Sequence, residues 1–161
     1  MKYIFILITF LSTLSVTTEA ELAKVTGYVN DHVGLLSKEQ IEKLKKQLVT
    51  YESKTSNEFY IVTLKSFGSD TPLQYSFRLW KVHGFGKPNK DNGILILIAK
   101  DDRKLRISVG NGLEKSLTDE FCAKIIEKIM VPQFKKQQFY KGIQEAVDLI
   151  IKEAKHDWPK D

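Results

Sequence analysis

Hydrophobic positions recur at helical spacing after a short polar segment near residue 37. Ser37-Lys-Glu-Gln40 has the residue types of a capping box, which begins a helix. The apolar face of that helix is expected at Ile41, Leu44, Leu48 and Tyr51. Residues 59–64 then form an apolar run rich in β-branched and aromatic side chains, which predicts a strand.

Three further helices are predicted along the chain. The second lies between Thr71 and the natural C-cap Gly84, the third runs from residue 118 to about residue 130, and the fourth begins near residue 138. Pro132 is expected to limit the third helix. The apolar stripes are expected at Leu73, Phe77 and Trp80 in the second helix and at Tyr140, Ile143, Val147, Ile150 and Ala154 in the fourth.

A hairpin is predicted between the second and third helices. Residues 93–99 are apolar at every position, which indicates a central strand buried on both faces. Residues 105–109 alternate, as in a strand nearer the edge, and residues 100–103 suffice for the turn. The strand at 59–64 is expected to pair parallel with the central strand through a right-handed crossover. Residues 25–29 are a candidate short edge strand. The fold class is therefore α/β: a three-layer α/β/α sandwich around a small mixed sheet, with a parallel βαβ unit and an antiparallel hairpin.

Composition changes this picture only at the two termini. The chain has 161 residues, of which 42% are hydrophobic and 28% charged, as in one globular domain. Lys2, the residues 3–16, which are apolar apart from scattered Ser and Thr, and Thr18-Glu19-Ala20 predict a signal peptide cleaved after Ala20, although an uncleaved anchor is the alternative. We expect a signal peptide at 1–20, a domain at 25–155, a flexible tail at 156–161, and an exported, periplasmic or extracellular protein.

The charged and sulfur-containing residues exclude several function classes. The formal charge of +5 is mild and the lysines are spread over helix faces, which argues against nucleic-acid binding. Cys122 is the sole cysteine, so no internal disulfide can form, and its apolar neighbours indicate a buried structural thiol. The three histidines have no zinc-ligand spacing, and no P-loop, nucleophile-elbow or dinucleotide motif is present.

Oxygen-bearing side chains fall at the two ends of the predicted hairpin. At one end we expect Asp91, Asn92, Glu114 and Asp119, with backbone carbonyls freed by neighbouring glycines. Such a set suits Ca²⁺ or Mg²⁺. The alternative is structural, since Asp91-Asn92-Gly93 makes a good turn and Asp119 favours a helix N-terminus.

The other end corresponds to the carboxyl ends of the parallel strands, the usual ligand side of an open α/β sheet. Asp31, Asp101 and Asp102 are expected there, together with Ser66 and Asp70 from the first crossover. One hypothesis is that Asp101 and Asp102 form a carboxylate pair for a divalent ion, with Arg103 holding a phosphate or carboxylate. The other is that they form a solvated turn.

An ordered series of motifs resembles the TPM domain family over about residues 25–155. The motifs are Val29-Asn-Asp31, Gly34-Leu-Leu-Ser37, Asp91-Asn-Gly-Ile-Leu, Asp101-Asp-Arg103, Gly110-Asn-Gly-Leu-Glu114 and Leu117-Thr-Asp119. The resemblance implies a Rossmann-like sandwich and a secreted, periplasmic or lumenal location. It also implies calcium binding in some members, acid phosphatase activity in plant thylakoid-lumen members that act in photosystem II repair, and a receptor-accessory role in an animal member.

Two functions remain open at this point. The first is a divalent-metal (Ca²⁺) binding module with an envelope-maintenance or scaffolding role. The second is a metal-dependent acid phosphatase of low activity on phosphomonoesters, for which the sequence offers no convincing nucleophile–base pair. The expected partners are a divalent metal ion, Ca or Mg, and an envelope or membrane protein. We expect no nucleic acid partner and a monomeric chain.

Overall fold

Four strands form one mixed sheet in this computed structural model, which describes residues 21–154. The strands are β1 (Val29–Asp31), β2 (Glu58–Leu64), β3 (Gly93–Ala99) and β4 (Lys104–Val109), in the spatial order β1-β2-β3-β4. β1 and β2 are parallel, β2 and β3 are parallel, and β3 and β4 form the antiparallel hairpin. The predicted α/β class, the parallel βαβ unit and the hairpin are confirmed.

Helices cover both faces of the sheet. They are α1 (Lys38–Thr55), α2 (Pro72–His83), α3 (Asp119–Ile125), α4 (Val131–Lys135) and α5 (Phe139–Glu153). β3 alternates between two cores, as a strand buried on both faces must. Its isoleucines, Ile94, Ile96 and Ile98, pack in the core that contains residues of α1, α3 and α5. Its other side chains, Leu95, Leu97 and Ala99, pack in the core that contains residues of α2.

Local sequence signals explain where the first two long helices begin and end. Both start with a complete capping box, built by Ser37 and Gln40 in α1 and by Thr71 and Gln74 in α2. Gly84 caps the end of α2 in the left-handed conformation, as expected of a glycine there. The predicted buried faces of α1 and α5 are confirmed, because all but their partly buried first residues, Ile41 and Tyr140, are buried.

The predicted apolar stripe of α2 is wrong at Leu73 and Phe77, whereas its third member, Trp80, is partly buried and packs against the core. Tyr75, Ser76 and Leu79 are its buried residues, whereas Leu73 and Phe77 are 57% and 71% exposed. Tyr75 can serve as a core residue because its hydroxyl is satisfied there: it accepts a hydrogen bond from Ala23 N and donates one to Glu21 O. The chain before β1 thus lies against α2.

Two element boundaries also differ from the prediction. The edge strand lies at Val29–Asp31 and not at residues 25–29, where Asn30 instead folds the chain by accepting from Thr26 N and donating to Gly27 O. Pro132 does not end the third helix. A π-helical turn at Ile126–Met130 joins α3 to α4, which carries Pro132 in its first turn, where a missing N–H is tolerated.

The predicted signal peptide at residues 1–20 and the predicted tail at 156–161 lie outside the described residues. Within residues 21–154, no helix is both long and apolar enough to cross a membrane.

Candidate functional site at the two ends of the sheet

Asn92, a predicted metal ligand, is completely buried at the amino end of β3. Its amide nitrogen donates to Ser56 O at 3.0 Å and to Asn57 Oδ1 at 3.1 Å, and its Oδ1 accepts from Lys87 N at 2.8 Å. Its backbone carbonyl accepts from Glu58 N. Since these bonds use both atoms of the side-chain amide, Asn92 clamps the loop before β3 onto the start of β2.

Asp91 joins that loop to the loop after β4. Its Oδ2 accepts from Asn111 N at 3.1 Å, and its carbonyl accepts from Gly112 N at 2.9 Å. A Cβ on Gly110 would lie 2.1 Å from Asp91 O, so the two loops touch backbone to backbone. The glycines therefore permit close approach of the two loops, and the Asp91 carbonyl is paired with Gly112 N.

The remaining residues of the first predicted metal set do not gather around Asp91. Glu114 and Asp119 are exposed, and Asp119 opens α3 beside its N-cap, Thr118, whose hydroxyl accepts from Phe121 N. Cys122 in the same helix is buried, and burial raises the pKa of its thiol to about 11, as expected of a structural thiol.

An ion-pair cluster closes the amino end of the sheet. Lys87 Nζ lies 2.5 Å from Glu52 Oε1 and 2.9 Å from Glu58 Oε1. Tyr28 donates to Glu52 and Tyr60 donates to Glu58, and the two tyrosine rings stack at 5.6 Å. The hydrogen bond to Glu52, followed by burial, raises the pKa of Tyr28 to about 12. Lys87 thus pairs with both carboxylates at this end, and each of the two also accepts a tyrosine hydroxyl.

Asp31 lies at the carboxyl end of β1, as predicted, but its oxygens are in use. It accepts hydrogen bonds from Leu35 N, Leu36 N and the Thr63 hydroxyl. Burial raises its pKa, but the hydrogen bonds from Thr63, Leu36 and Leu35 outweigh burial, and the net effect is a pKa below the ordinary value. Asp31 thus fixes the connection from β1 to α1.

The expected carboxylate pair at the β3–β4 turn is split. Asp102 turns toward the β2–α2 loop, where it accepts from Ser66 Oγ and Phe67 N, both at 2.7 Å. The nearby Asp70 pairs with Arg78 of α2. Asp101 is exposed on the other side of the turn, and its carboxylate has no hydrogen bond or ion pair within residues 21–154.

Asp101 lines a cleft of about 870 Å³ between the β3–β4 turn and the α4–α5 connection. Its charged residues are Lys100, Asp101, Arg103 and Lys135, and its other residues are Ile98, Ala99, Leu105, Val131, Phe134, Gln137 and Phe139. The volume is within the range of small-molecule sites. Three cations against one carboxylate give the lining an excess of two positive charges, which favours an anion.

Two cleft residues adopt a backbone conformation that disfavours side chains. Arg103 has φ 53° and Gln137 has φ 59°, both in the left-handed region. Arg103 occupies the turn position where hairpins prefer glycine. The left-handed backbone strains an arginine more than a glycine, and such local strain is concentrated at functional sites.

The divalent metal implied by the family resemblance finds no complete ligand set here. Within residues 21–154, no three His, Cys, Asp or Glu side chains lie close enough together to hold a metal ion. Asp31, Asp91, Asn92 and Asp102 already accept hydrogen bonds from the protein. Asp101 is the acidic member of the cleft, so a cation there requires further oxygens from another source.

Sequence reasoning missed Lys100, Lys135 and the two phenylalanines of the cleft. Lys100 was assigned only to the turn. Phe134, Lys135 and Phe139 were missed because Pro132 was expected to end the helix, whereas the π-helical turn carries the chain on and places α4 beside the hairpin. Helical periodicity contains no signal for that turn.

Three solved structures of known proteins are similar to this chain. The N-terminal domain of a P. gingivalis protein, solved by solution NMR, has a TM-score of 0.74 and 30% identity, covering 83% of this chain and 88% of that one. The N-terminal domain of a Corynebacterium glutamicum protein has 14% identity and a TM-score of 0.63, covering 89% and 94% of the two chains. The BA42 protein from Bizionia argentinensis has 17% identity and a TM-score of 0.64, covering 80% and 94%.

The latter two likenesses show the shared fold alone. No curated protein matches the chain. The sequence model of the TPM domain matches residues 29–153, which include all four strands and all five helices. The chain therefore belongs to the TPM domain family.

Proposed function

We propose that this TPM domain is a binding module that takes a phosphate-type anion in the cleft beside Asp101, together with a divalent cation. The observation that carries the proposal is the placement of Lys100, Arg103 and Lys135 around one cleft at the carboxyl end of the sheet. None of these cations has a protein partner within residues 21–154, so their charge is available to a ligand. Arg103 supplies a planar donor that matches phosphate geometry.

The divalent cation in this proposal binds jointly with the anion. Mg²⁺ is commonly held by one or two carboxylates together with the oxygens of a phosphate, and Ca²⁺ prefers oxygen ligands in the same way. Asp101 supplies the protein carboxylate. The incomplete ligand set of the protein is then a reason for joint binding, because the ligand itself supplies the missing oxygens.

The proposed setting is the cell envelope or the extracellular space, with a scaffolding or maintenance role. The composition of residues 1–20 supports export, and the domain's family membership is compatible with it. An anion-and-cation site suits a module that senses or retains a ligand outside the cytoplasm.

Backbone NMR titration of the chain from Glu21 onward, which contains the whole described fold, tests the binding proposal. Inorganic phosphate is added with and without Mg²⁺ or Ca²⁺. We expect the amides of Lys100, Arg103 and Lys135 to shift with phosphate and to shift at lower phosphate concentration when the cation is present. Arg103→Gln should remove most of the response. Lys54→Gln, which removes the same charge from an exposed position in α1, should keep it.

Two outcomes contradict the proposal. One is the absence of any amide shift with phosphate, with or without the cation. The other is a set of shifts confined to the loops around Asp91 and Asn111, which would place the site at the amino end of the sheet.

A phosphatase is the second candidate, favoured by one observation. Asp101 is an unpaired carboxylate beside three cations, and those cations could stabilise the charge of a transferring phosphoryl group. This function predicts release of phosphate from a generic phosphomonoester in the presence of Mg²⁺, with loss in Asp101→Asn. Turnover that persists unchanged in purified Asp101→Asn protein does not depend on Asp101 and rules out this assignment.

A further inference from the structure

We infer that the ligand of this cleft carries an apolar body next to its anionic head, an inference that rests on the proposed function. The ligand class is a soluble amphipathic monophosphate. The cationic side chains lie on the hairpin turn and on α4, whereas Phe134, Phe139 and Leu105 give the same cleft an apolar part. A ligand that matches both parts must be charged at one end and apolar at the other.

The aromatic part of the cleft is held in a defined arrangement. The rings of Phe134 and Phe139 meet edge to face, with centroids 5.1 Å apart and an interplanar angle of 65°. A Cβ on Gly142 of α5 would lie 2.8 Å from Phe134 Cε1, so the glycine allows the ring to seat against that helix. Both phenylalanines remain only partly buried, so they still present apolar surface to the cleft.

The size of the cleft also favours a ligand with an apolar body. Its volume of about 870 Å³ is far more than an inorganic phosphate needs and lies in the range that accommodates drug-sized ligands. Apart from the four charged side chains that the proposal assigns to the anion and the cation, Gln137 is the one polar side chain of the lining, so few partners remain for the hydroxyl groups of a sugar. An aryl or short alkyl group fits this lining better than a nucleoside does.

The experiment compares methylphosphonate with phenylphosphonate, which share an anionic head and cannot be hydrolysed by a phosphatase. Dissociation constants are measured by NMR titration of the same chain, with Mg²⁺ present. We expect phenylphosphonate to bind about tenfold more tightly, because its ring removes apolar surface from water. Phe139→Leu should reduce this ratio, because it weakens the binding of phenylphosphonate more than that of methylphosphonate. Phe77→Leu, at an exposed phenylalanine outside the cleft, should keep the ratio.

The possible results separate the inference from the proposed function. If neither phosphonate shifts the cleft amides, the proposed function fails and the inference fails with it. If both bind with equal affinity, the anion site stands and the apolar body is overturned. A Phe139→Leu variant that keeps the full ratio also overturns the inference.

A competition experiment with lipid vesicles distinguishes a soluble amphiphile from a lipid headgroup in a bilayer. Since the cleft can hold the whole of a small ligand, phenylphosphonate binding should not be displaced by vesicles of phosphatidic acid and phosphatidylcholine. Displacement by those vesicles, with co-sedimentation of the protein, overturns the assignment to a soluble ligand.

Discussion

The two ends of the sheet both contain charged and polar side chains but use them differently. At the amino end, the hydrogen-bonding groups of Asn92 and the charges of the Glu52–Lys87–Glu58 cluster have partners within the protein. At the carboxyl end, the side chains of Asp101 and Arg103 have no protein partner within residues 21–154. The first arrangement stabilises loops, and the second leaves charge available for a ligand. Partner satisfaction, rather than residue type, therefore separates structural from functional polar groups.

Asp31 shows that the end of the sheet at which a residue lies does not by itself decide whether its side chain is satisfied within the protein. It lies at the carboxyl end, yet its oxygens accept several hydrogen bonds, and it belongs with the structural group. Asp102 is similar, since Ser66 and Phe67 occupy both of its oxygens. Substitutions at satisfied positions should change stability, and substitutions at unsatisfied positions should change binding.

The largest loss of stability is expected at the loop contact of the amino end. Gly110→Ala places a Cβ about 2.1 Å from Asp91 O, and because the Cβ is fixed to its own backbone and meets a backbone atom, the loops must separate. We expect a loss of about 3 kcal/mol, measured by urea unfolding. Gly27→Ala is the control, since a Cβ there meets nothing within 4 Å and should change stability little. Equal stability of the two variants would contradict a close contact between the loops.

A smaller loss is expected when the buried amide at the same end is removed. Asn92→Ala leaves Asn57 Oδ1, Ser56 O and Lys87 N without their partner. We expect a loss of about 2 kcal/mol, because unpaired buried polar groups keep their desolvation cost. Asn111→Ala removes an exposed asparagine side chain at the same end and serves as the control. Phosphate-induced shifts at Arg103 should persist in both variants. Their loss in folded Asn92→Ala protein would show that the two ends are not separable.

Local sequence signals were sufficient for most of the fold. The capping boxes at Ser37 and Thr71 and the apolar run of β3 identify their elements directly, because each depends on neighbours in the chain. The stripe of α2 was not predictable in this way, since Tyr75 and Phe77 are both aromatic and only the sheet decides which is buried.

The candidate site was predictable only in part for the same reason. The Asp101-Asp102-Arg103 turn could be identified as a ligand-side feature from the strand order alone. Which carboxylate is free depends on Ser66 and Phe67, which are more than thirty positions away in sequence. Lys135 enters the cleft only because the π-helical turn continues the helix past Pro132.

The third prediction concerns pH and tests whether Asp31 is structural. Its pKa is lowered in the folded protein, so its charged form contributes stability above the unfolded pKa of about 4. That contribution is lost as the pH falls through the folded pKa. Asp31→Asn should cost about 1 kcal/mol at neutral pH, from weakened hydrogen bonds. In thermal unfolding, the gap between the two proteins should shrink below about pH 4. A gap that stays constant from pH 7 to pH 3 contradicts a role for the carboxylate charge.

The smallest stability effect, with the opposite sign, is expected at the carboxyl-end cleft. Arg103→Gly removes a side chain from a residue with φ 53°, where glycine is not strained. Relief of strain and the greater flexibility of the unfolded chain act in opposite directions, so stability should stay unchanged or rise by up to about 1 kcal/mol. Phosphate affinity should fall about tenfold, because a charged bidentate donor is lost.

Asn89→Gly is the matched control for that substitution, since Asn89 also has a left-handed backbone, with φ 69°, but lies outside the cleft. It should leave phosphate binding unchanged. If Arg103→Gly makes the protein more stable and also weakens its phosphate binding, then Arg103 is kept for binding at a cost in folding stability. If Arg103→Gly instead lowers stability and leaves phosphate affinity intact, Arg103 belongs with Asn92 and Asp31 as a structural residue, and the distinction between the two ends of the sheet fails.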